Sequence, residues 1–289
     1  MIRLLFALAC CLPLVTGCSM VRLGYSQADN IALWTADEYF DLDAQQRQEF
    51  LARFERFYEW HRYEQLPEYA DFLDTARNRL QRGLKPEDVD WFVEGLKARY
   101  RLVVNRAATD AAEILSSLTP AQLDTLQRQW DKDNRKFIRE HRLEDDTEER
   151  KRARAARTLK QIRDWTGSLS YEQERKITAM LDDLPLIDHL RHQDRLRRQR
   201  EFLQLLEKRG NKSEFPAKLR HWLLDWEQNR APEYARQLNH WWGQRVQFFI
   251  EVDRMLTPHQ RAIVLRRLQD YVEDFRKLSQ RAARAVAVQ

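Results

Sequence analysis

The chain has 289 residues, 50 of them basic and 45 acidic, with a formal charge of +5. One third of it is charged with both signs interspersed, which describes a solvated surface and falls short of the one-sided basicity of a nucleic-acid binder. Seven glycines and eight prolines are too few for the frequent turns of a β-protein, while thirteen Phe, nine Tyr and nine Trp supply a substantial core.

The N-terminus reads Met1-Ile2-Arg3, then an apolar run from Leu4 to Val15, then Thr16-Gly17-Cys18. A short positive start, an apolar run too short to span a bilayer as a stable helix, and small residues before a cut site predict a secretory signal peptide over residues 1–17. Its end, Val15-Thr16-Gly17-Cys18, resembles the bacterial lipobox. That resemblance implies lipidation of Cys18, which becomes the new N-terminus, and several acyl chains on one residue give effectively permanent anchoring. Ser19 follows, and by similarity to lipoproteins of Gram-negative bacteria it implies transfer to the outer membrane, on its periplasmic face. Cutting removes Arg3, Cys10 and Cys11, leaving 49 basic against 45 acidic residues and Cys18 as the sole cysteine, so stability must come from packing without disulfides.

Residues 18–28 read as a lipidated tether, reaching roughly 35 Å at full extension. From Asp29 onward the pattern is helical almost throughout, in an N-terminal half over 29–167 and a C-terminal half over 168–289. Phe50, Leu51, Phe54, Phe57 and Tyr58 share one face at three-and-four spacing, as do Val89, Phe92, Val93, Leu96, Tyr100, Val103, Val104, Ala107, Ala111, Ile114 and Leu115. The C-terminal half repeats the pattern from Tyr234 to Leu278. Long helices with single apolar stripes predict an all-α fold of antiparallel hairpins or a bundle.

Helix starts recur in one form: Leu42-Asp43-Ala44-Gln45-Gln46, Leu118-Thr119-Pro120-Ala121-Gln122, Leu169-Ser170-Tyr171-Glu172-Gln173 and Leu256-Thr257-Pro258-His259-Gln260. Each is a capping box, with Asp, Thr or Ser as N-cap and Gln three residues later reaching back to the N-cap amide. Leu84-Lys85-Pro86-Glu87-Asp88 is a looser copy. A second echo sets Pro67-Glu68-Tyr69-Ala70 against Pro232-Glu233-Tyr234-Ala235, each shortly after an acidic residue and a Trp. The intervals between boxes are too uneven for a solenoid.

The lipobox, the aromatic helices and Leu66-Pro67-Glu68-Tyr69 together resemble an uncharacterised family of proteobacterial lipoproteins, known as a domain of unknown function, over nearly the whole chain. That resemblance implies architecture and address, and no site. Leu118-Thr119-Pro120-Ala121-Gln122 and Leu256-Thr257-Pro258-His259-Gln260 are also similar to the Leu-Thr-x-x-Gln motif of Spy/CpxP-type periplasmic chaperones, small helical proteins that bind unfolded clients and report envelope stress. Plain capping accounts for every residue of that motif, and this chain is longer and carries a lipobox.

Phosphate-cradling glycine loops, Gly-x-Ser-x-Gly and His-Glu-x-x-His are absent, as is a Glu three residues before any histidine, so no cofactor, catalytic residue or small-molecule substrate is expected. The strongest metal candidate is His189 with His192, on one helix face beside Asp182, Asp183 and Asp188, although two histidines alone specify no third ligand. Trp222, Trp226, Trp241 and Trp242 form the densest aromatic group, readable as core or as a binding surface. Arginines at 150–157 and 191–200 read as solvated helix faces, or for 191–200 as a contact for anionic headgroups near the anchor. The expectation is a non-enzymatic outer-membrane lipoprotein, a helical scaffold for an envelope protein partner, without nucleic acid. A Spy/CpxP-type chaperone or stress sensor and a metal-binding protein through His189 and His192 are the alternatives.

Overall fold

The computed structural model describes residues 18–280, and side chains from residue 21 onward. The expected signal peptide, residues 1–17, lies outside the described residues, and so does the side chain of Cys18. The fold is all-α, with no strand among the described residues. None of its helices is long and apolar enough to cross a membrane.

Residues 18–28, expected as a tether, hold α1 (Cys18–Ser26) and the first residue of α2 (Ala28–Phe40). Val21, Arg22 and Tyr25 fall on one face of α1, which docks on the body. Val21 is buried with Leu66 and Leu278, Arg22 pairs with the buried Asp274 at 3.2 Å, and the Tyr25 hydroxyl meets His61 Nδ1 at 2.9 Å. A side-chain set that can bury itself and find polar partners does not remain a free linker.

The next helix runs through α3 (Ala44–Trp60), a π-helical turn (His61–Gln65) and α4 (Leu66–Gln81). Pro67 explains the π turn. Its ring would clash with the preceding helical turn, and the widened turn, closed by the Leu66 N–H on the His61 carbonyl, relieves that clash. The related Pro232 sits in the first turn of a separate helix, where no such clash arises. The two Pro-Glu-Tyr echoes therefore occupy different structural positions. Next come α5 (Pro86–Ser116), α6 (Pro120–Glu140), α7 (Thr147–Thr166), α8 (Tyr171–Asp182), α9 (Asp188–Glu207), α10 (Phe215–Leu224), α11 (Pro232–Met255) and α12 (Pro258–Ser279).

The capping boxes form as expected at Asp43, Thr119, Ser170 and Thr257. Their glutamines also meet each other, which capping does not require. Gln46 and Gln122 form a reciprocal amide pair at 3.2 and 2.6 Å, and Gln173 and Gln260 form another at 2.8 and 2.9 Å. Each Oε1 also accepts from its own N-cap N–H. Each Nε2 also donates to the carbonyl two residues before the partner's N-cap: Ser117, Asp41, Met255 or Ser168. Every donor and acceptor of the four amides is thereby used, which is what allows them to be buried.

The main core collects Tyr39 and Phe40 of α2, Leu42, Val104 and Leu115 of α5, Leu118, Leu126 and Trp130 of α6, Phe202 and Leu206 of α9, and Phe215, Leu219 and Leu223 of α10. A smaller core joins Ala155 of α7, Ile177 and Leu181 of α8, Leu184, and Phe248 of α11. The two sequence halves interlock: α12 packs along α4, and α10 along α5. Polar bonds follow the same seam, with Arg62 Nε donating to the Leu278 carbonyl at 2.7 Å and Arg261 Nη1 to that of Leu80 at 3.0 Å. Close approach elsewhere depends on Gly95 of α5, where an added Cβ would fall 2.3 Å from the Phe72 ring of α4.

Candidate functional site

The apolar stripe of α5 has two fates. From Val103 to Leu115 it is buried under α10 and its neighbours. From Val93 to Arg101 it is only half-covered and forms one wall of a groove of about 580 Å³. Val93, Leu96, Lys97, Tyr100 and Arg101 stand on that wall at helical spacing. The facing wall is the end of α10 and the turn that follows it, with Leu224, Asp225, Trp226, Glu227 and Gln228, and Trp242 of α11 completes the lining. The volume lies within the 300–1,000 Å³ typical of ligand pockets.

The turn is held in a defined shape. The His221 ring bridges Asp225, at 2.7 Å, and Gln228, at 2.9 Å. Arg197 donates to the Gln228 carbonyl at 3.0 Å while pairing with Asp194 and Glu201. Asn229 takes the left-handed conformation at φ 61°, which Asn tolerates better than most residues. Arg230 lies over the rings of Trp226 and Tyr234, at 5.6 and 5.2 Å. On the other wall the Tyr100 hydroxyl donates to the Leu223 carbonyl at 2.8 Å, and burial pushes its phenol up, so it stays protonated. The groove thus has an apolar aromatic floor, cations on the α5 rim at Lys97 and Arg101, and carboxylates on the opposite rim at Asp225 and Glu227.

The four tryptophans singled out by sequence separate. Trp226 and Trp242 line the groove. Trp222 packs against the main core, its ring 4.7 Å from Phe202 and under Arg198 at 4.3 Å. Trp241 lies under Arg191 at 5.4 Å and is tilted against Trp242 at 6.3 Å. The α5 wall escaped sequence reading because its stripe continues without a break into the core stripe. The available signal was Lys97 and Arg101, cations placed beside an apolar face four residues apart.

His189 and His192 do not converge with the nearby carboxylates. Asp188 is buried and faces His141 Nδ1 at 3.1 Å and Arg191 at 3.7 Å, and His192 stacks on Phe137 at 5.7 Å. Burial lowers the His192 pKa, helped by Arg195. Among the described residues no three His, Cys, Asp or Glu side chains gather as metal ligands. Three of the five arginines of 191–200 turn inward, Arg195 to Asn134, Arg197 to the 225–228 turn and Arg198 to the Trp222 carbonyl, while Arg191 and Arg200 stay exposed. In the other run, Arg154 donates to the carbonyls of Leu181, Leu184 and Pro185, closing the end of α8.

Residues 38–235 match the model of a family of unknown function, DUF6279. The chain belongs to that family. No curated protein and no solved structure matches it. The matched span begins inside α2 and ends at the start of α11, so it contains both walls of the groove except Trp242, and the whole Gln46–Gln122 pair.

Proposed function

We propose that the protein is a non-enzymatic outer-membrane lipoprotein, anchored through Cys18 on the periplasmic face, and that its groove holds a segment of another envelope protein. The groove between α5 and the 225–228 turn is the observation that carries this reading. Its floor of Leu96, Tyr100, Trp226 and Trp242 suits a large apolar side chain. Rims of opposite sign suit a peptide that carries charge of both signs beside that anchor, since each rim rejects the reversed orientation. A photoreactive residue in place of Leu96, in the full chain in living cells, is expected to give a discrete crosslinked product. Lys97→Glu/Arg101→Glu should abolish it. No product, or one indifferent to the charge reversal, overturns the groove reading. The address is tested separately: Cys18→Ser should leave an uncut, unacylated precursor, and unchanged processing and fractionation would count against it.

A second reading, a periplasmic chaperone or stress sensor of Spy/CpxP type, draws on the glutamine pairs. Two of the four paired glutamines stand in Leu-Thr-x-x-Gln motifs, and their reciprocal pairing exceeds what capping needs. Residues 19–289, purified without lipid, should then suppress aggregation of an unfolded client, and no effect at several-fold excess removes this reading.

A further inference from the structure

The outward face of α1 and α2 carries a set of large apolar side chains that the fold does not use. Leu23 is 58 % exposed, Ile31 52 % and Trp34 65 %. Ile31 and Trp34 stand one turn apart on α2, opposite the buried Ala32, Ala36, Tyr39 and Phe40. All nine tryptophans lie among the described residues, and Trp34 is the only one that is exposed rather than half-buried or buried. Single exposed hydrophobic residues are ordinary on a protein surface. Three within twelve residues, each on the solvent side of helices whose other side is docked, are a patterned face.

We propose that this face rests in the headgroup region of the bilayer that holds the acyl anchor, so that the body lies on the membrane in one orientation. The inference rests on lipidation at Cys18, the address given above. Its physical basis is distance. Helix α1 begins at Cys18 itself, and Leu23 follows about 8 Å further along at 1.5 Å per residue. A single residue, Gln27, separates α1 from α2, and the Ile31 N–H donates back to its carbonyl at 3.0 Å. Even fully straight, the path from Leu23 to Trp34 spans roughly 16 Å.

No flexible spacer intervenes, because α1 is fixed to the body by Val21, by Arg22 on Asp274, and by Tyr25 on His61. The acylated end is therefore fixed relative to the exposed face, and roughly 24 Å of helix at most separates Cys18 from Trp34 at the far end of that face. Tryptophan with aliphatic neighbours is the side-chain set that partitions into the interfacial layer. Glu38, exposed and one turn beyond Trp34 on the same side, favours zwitterionic headgroups over anionic ones.

The test uses the full, processed protein reconstituted in phosphatidylcholine–phosphatidylethanolamine vesicles carrying a doxyl-labelled lipid, with mass spectrometry of its N-terminus. Quenching of tryptophan fluorescence is compared between wild type and Trp34→Phe. The difference signal, which belongs to Trp34, should be quenched by half or more, and Leu23→Ser/Ile31→Ser should reduce that quenching at least twofold. An acylated protein whose Trp34 signal is unquenched overturns the inference and leaves the address standing. An unacylated N-terminus overturns both. A dimer that Trp34→Ser dissociates, with Trp34 unquenched in vesicles, places a second copy on the face and likewise overturns the inference.

Discussion

Where α3 and α6 begin, Leu42 and Leu118 precede their caps and are 2 % and 3 % exposed. Arg209 closes that end by donating to the Leu118 carbonyl at 2.9 and 3.1 Å. Where α8 and α12 begin, the equivalent Leu169 and Leu256 are only half-buried, above a smaller core. The glutamine amides of the two ends make the same bonds and are buried to a similar degree, from 5 % to 9 % exposed. The hydrogen-bonding pattern is therefore a property of the paired capping boxes, and the seal around it is a property of the packing. A buried amide that loses its partner pays for desolvation only where water cannot return.

That difference can be broken experimentally. Gln122→Ala removes a cap partner and strands the Gln46 amide in the sealed end, and a loss of about 3 kcal/mol in urea denaturation is expected. Gln260→Ala does the same in the looser end, where water can reach the orphaned Gln173, and should cost about 2 kcal/mol. Equal losses would show that the leucine seal does not matter.

Acid separates the amide pairs from the rest of the fold, because amides do not titrate in this range. His61, in the π turn, is a buried group that does. Burial lowers its pKa from 6.5 to about 4, in a pocket shared with Tyr25, Tyr58, Tyr69 and Arg62. A depressed histidine stabilises the fold in its neutral form. That contribution is complete above pH 6.5 and is lost as the pH falls toward 4, amounting to about 2 kcal/mol by pH 5. The pH dependence of the melting temperature between 7 and 5 should flatten in His61→Gln, while Gln122→Ala and Gln260→Ala lower the whole curve without changing its slope.

Replacing both members of the sealed pair, Gln46→Leu/Gln122→Leu, strands no side-chain amide but still deprives the Asp43 and Thr119 N–H groups and the Asp41 and Ser117 carbonyls of their partners. It should therefore cost less than the sum of the two single variants and stay about 2 kcal/mol below wild type. A double variant as unstable as the sum of the singles would mean that the pair is held by something other than its own amides. The smallest effect is expected at the groove. Lys97→Glu/Arg101→Glu should change stability by under about 0.5 kcal/mol while abolishing crosslinking from position 96.

Much of the architecture could be read from side-chain periodicity. The stripes of α5 and α12, the capping boxes at Asp43, Thr119, Ser170 and Thr257, and the absence of turn residues all point to helices, and helices form. The groove was half legible. Trp226 and Trp242 stood out by composition, yet nothing local distinguishes them from Trp222 and Trp241, which pack elsewhere. Pro67 was visible only as part of the Pro-Glu-Tyr-Ala echo, which does not show that it falls inside a continuous helix as a π turn while Pro232 starts a separate one.

By itself the sequence determines helix type, helix starts and the four glutamine caps, because these depend on residues three or four positions apart. Only tertiary structure decides which capped ends meet, which part of the α5 stripe is covered, and that residues 18–26 dock as a helix. Those outcomes depend on apolar area and polar partners from segments far apart in the chain. Gln46 meets Gln122 across 76 residues and Gln173 meets Gln260 across 87, and no local pattern reveals that a cap will find its counterpart at such a separation.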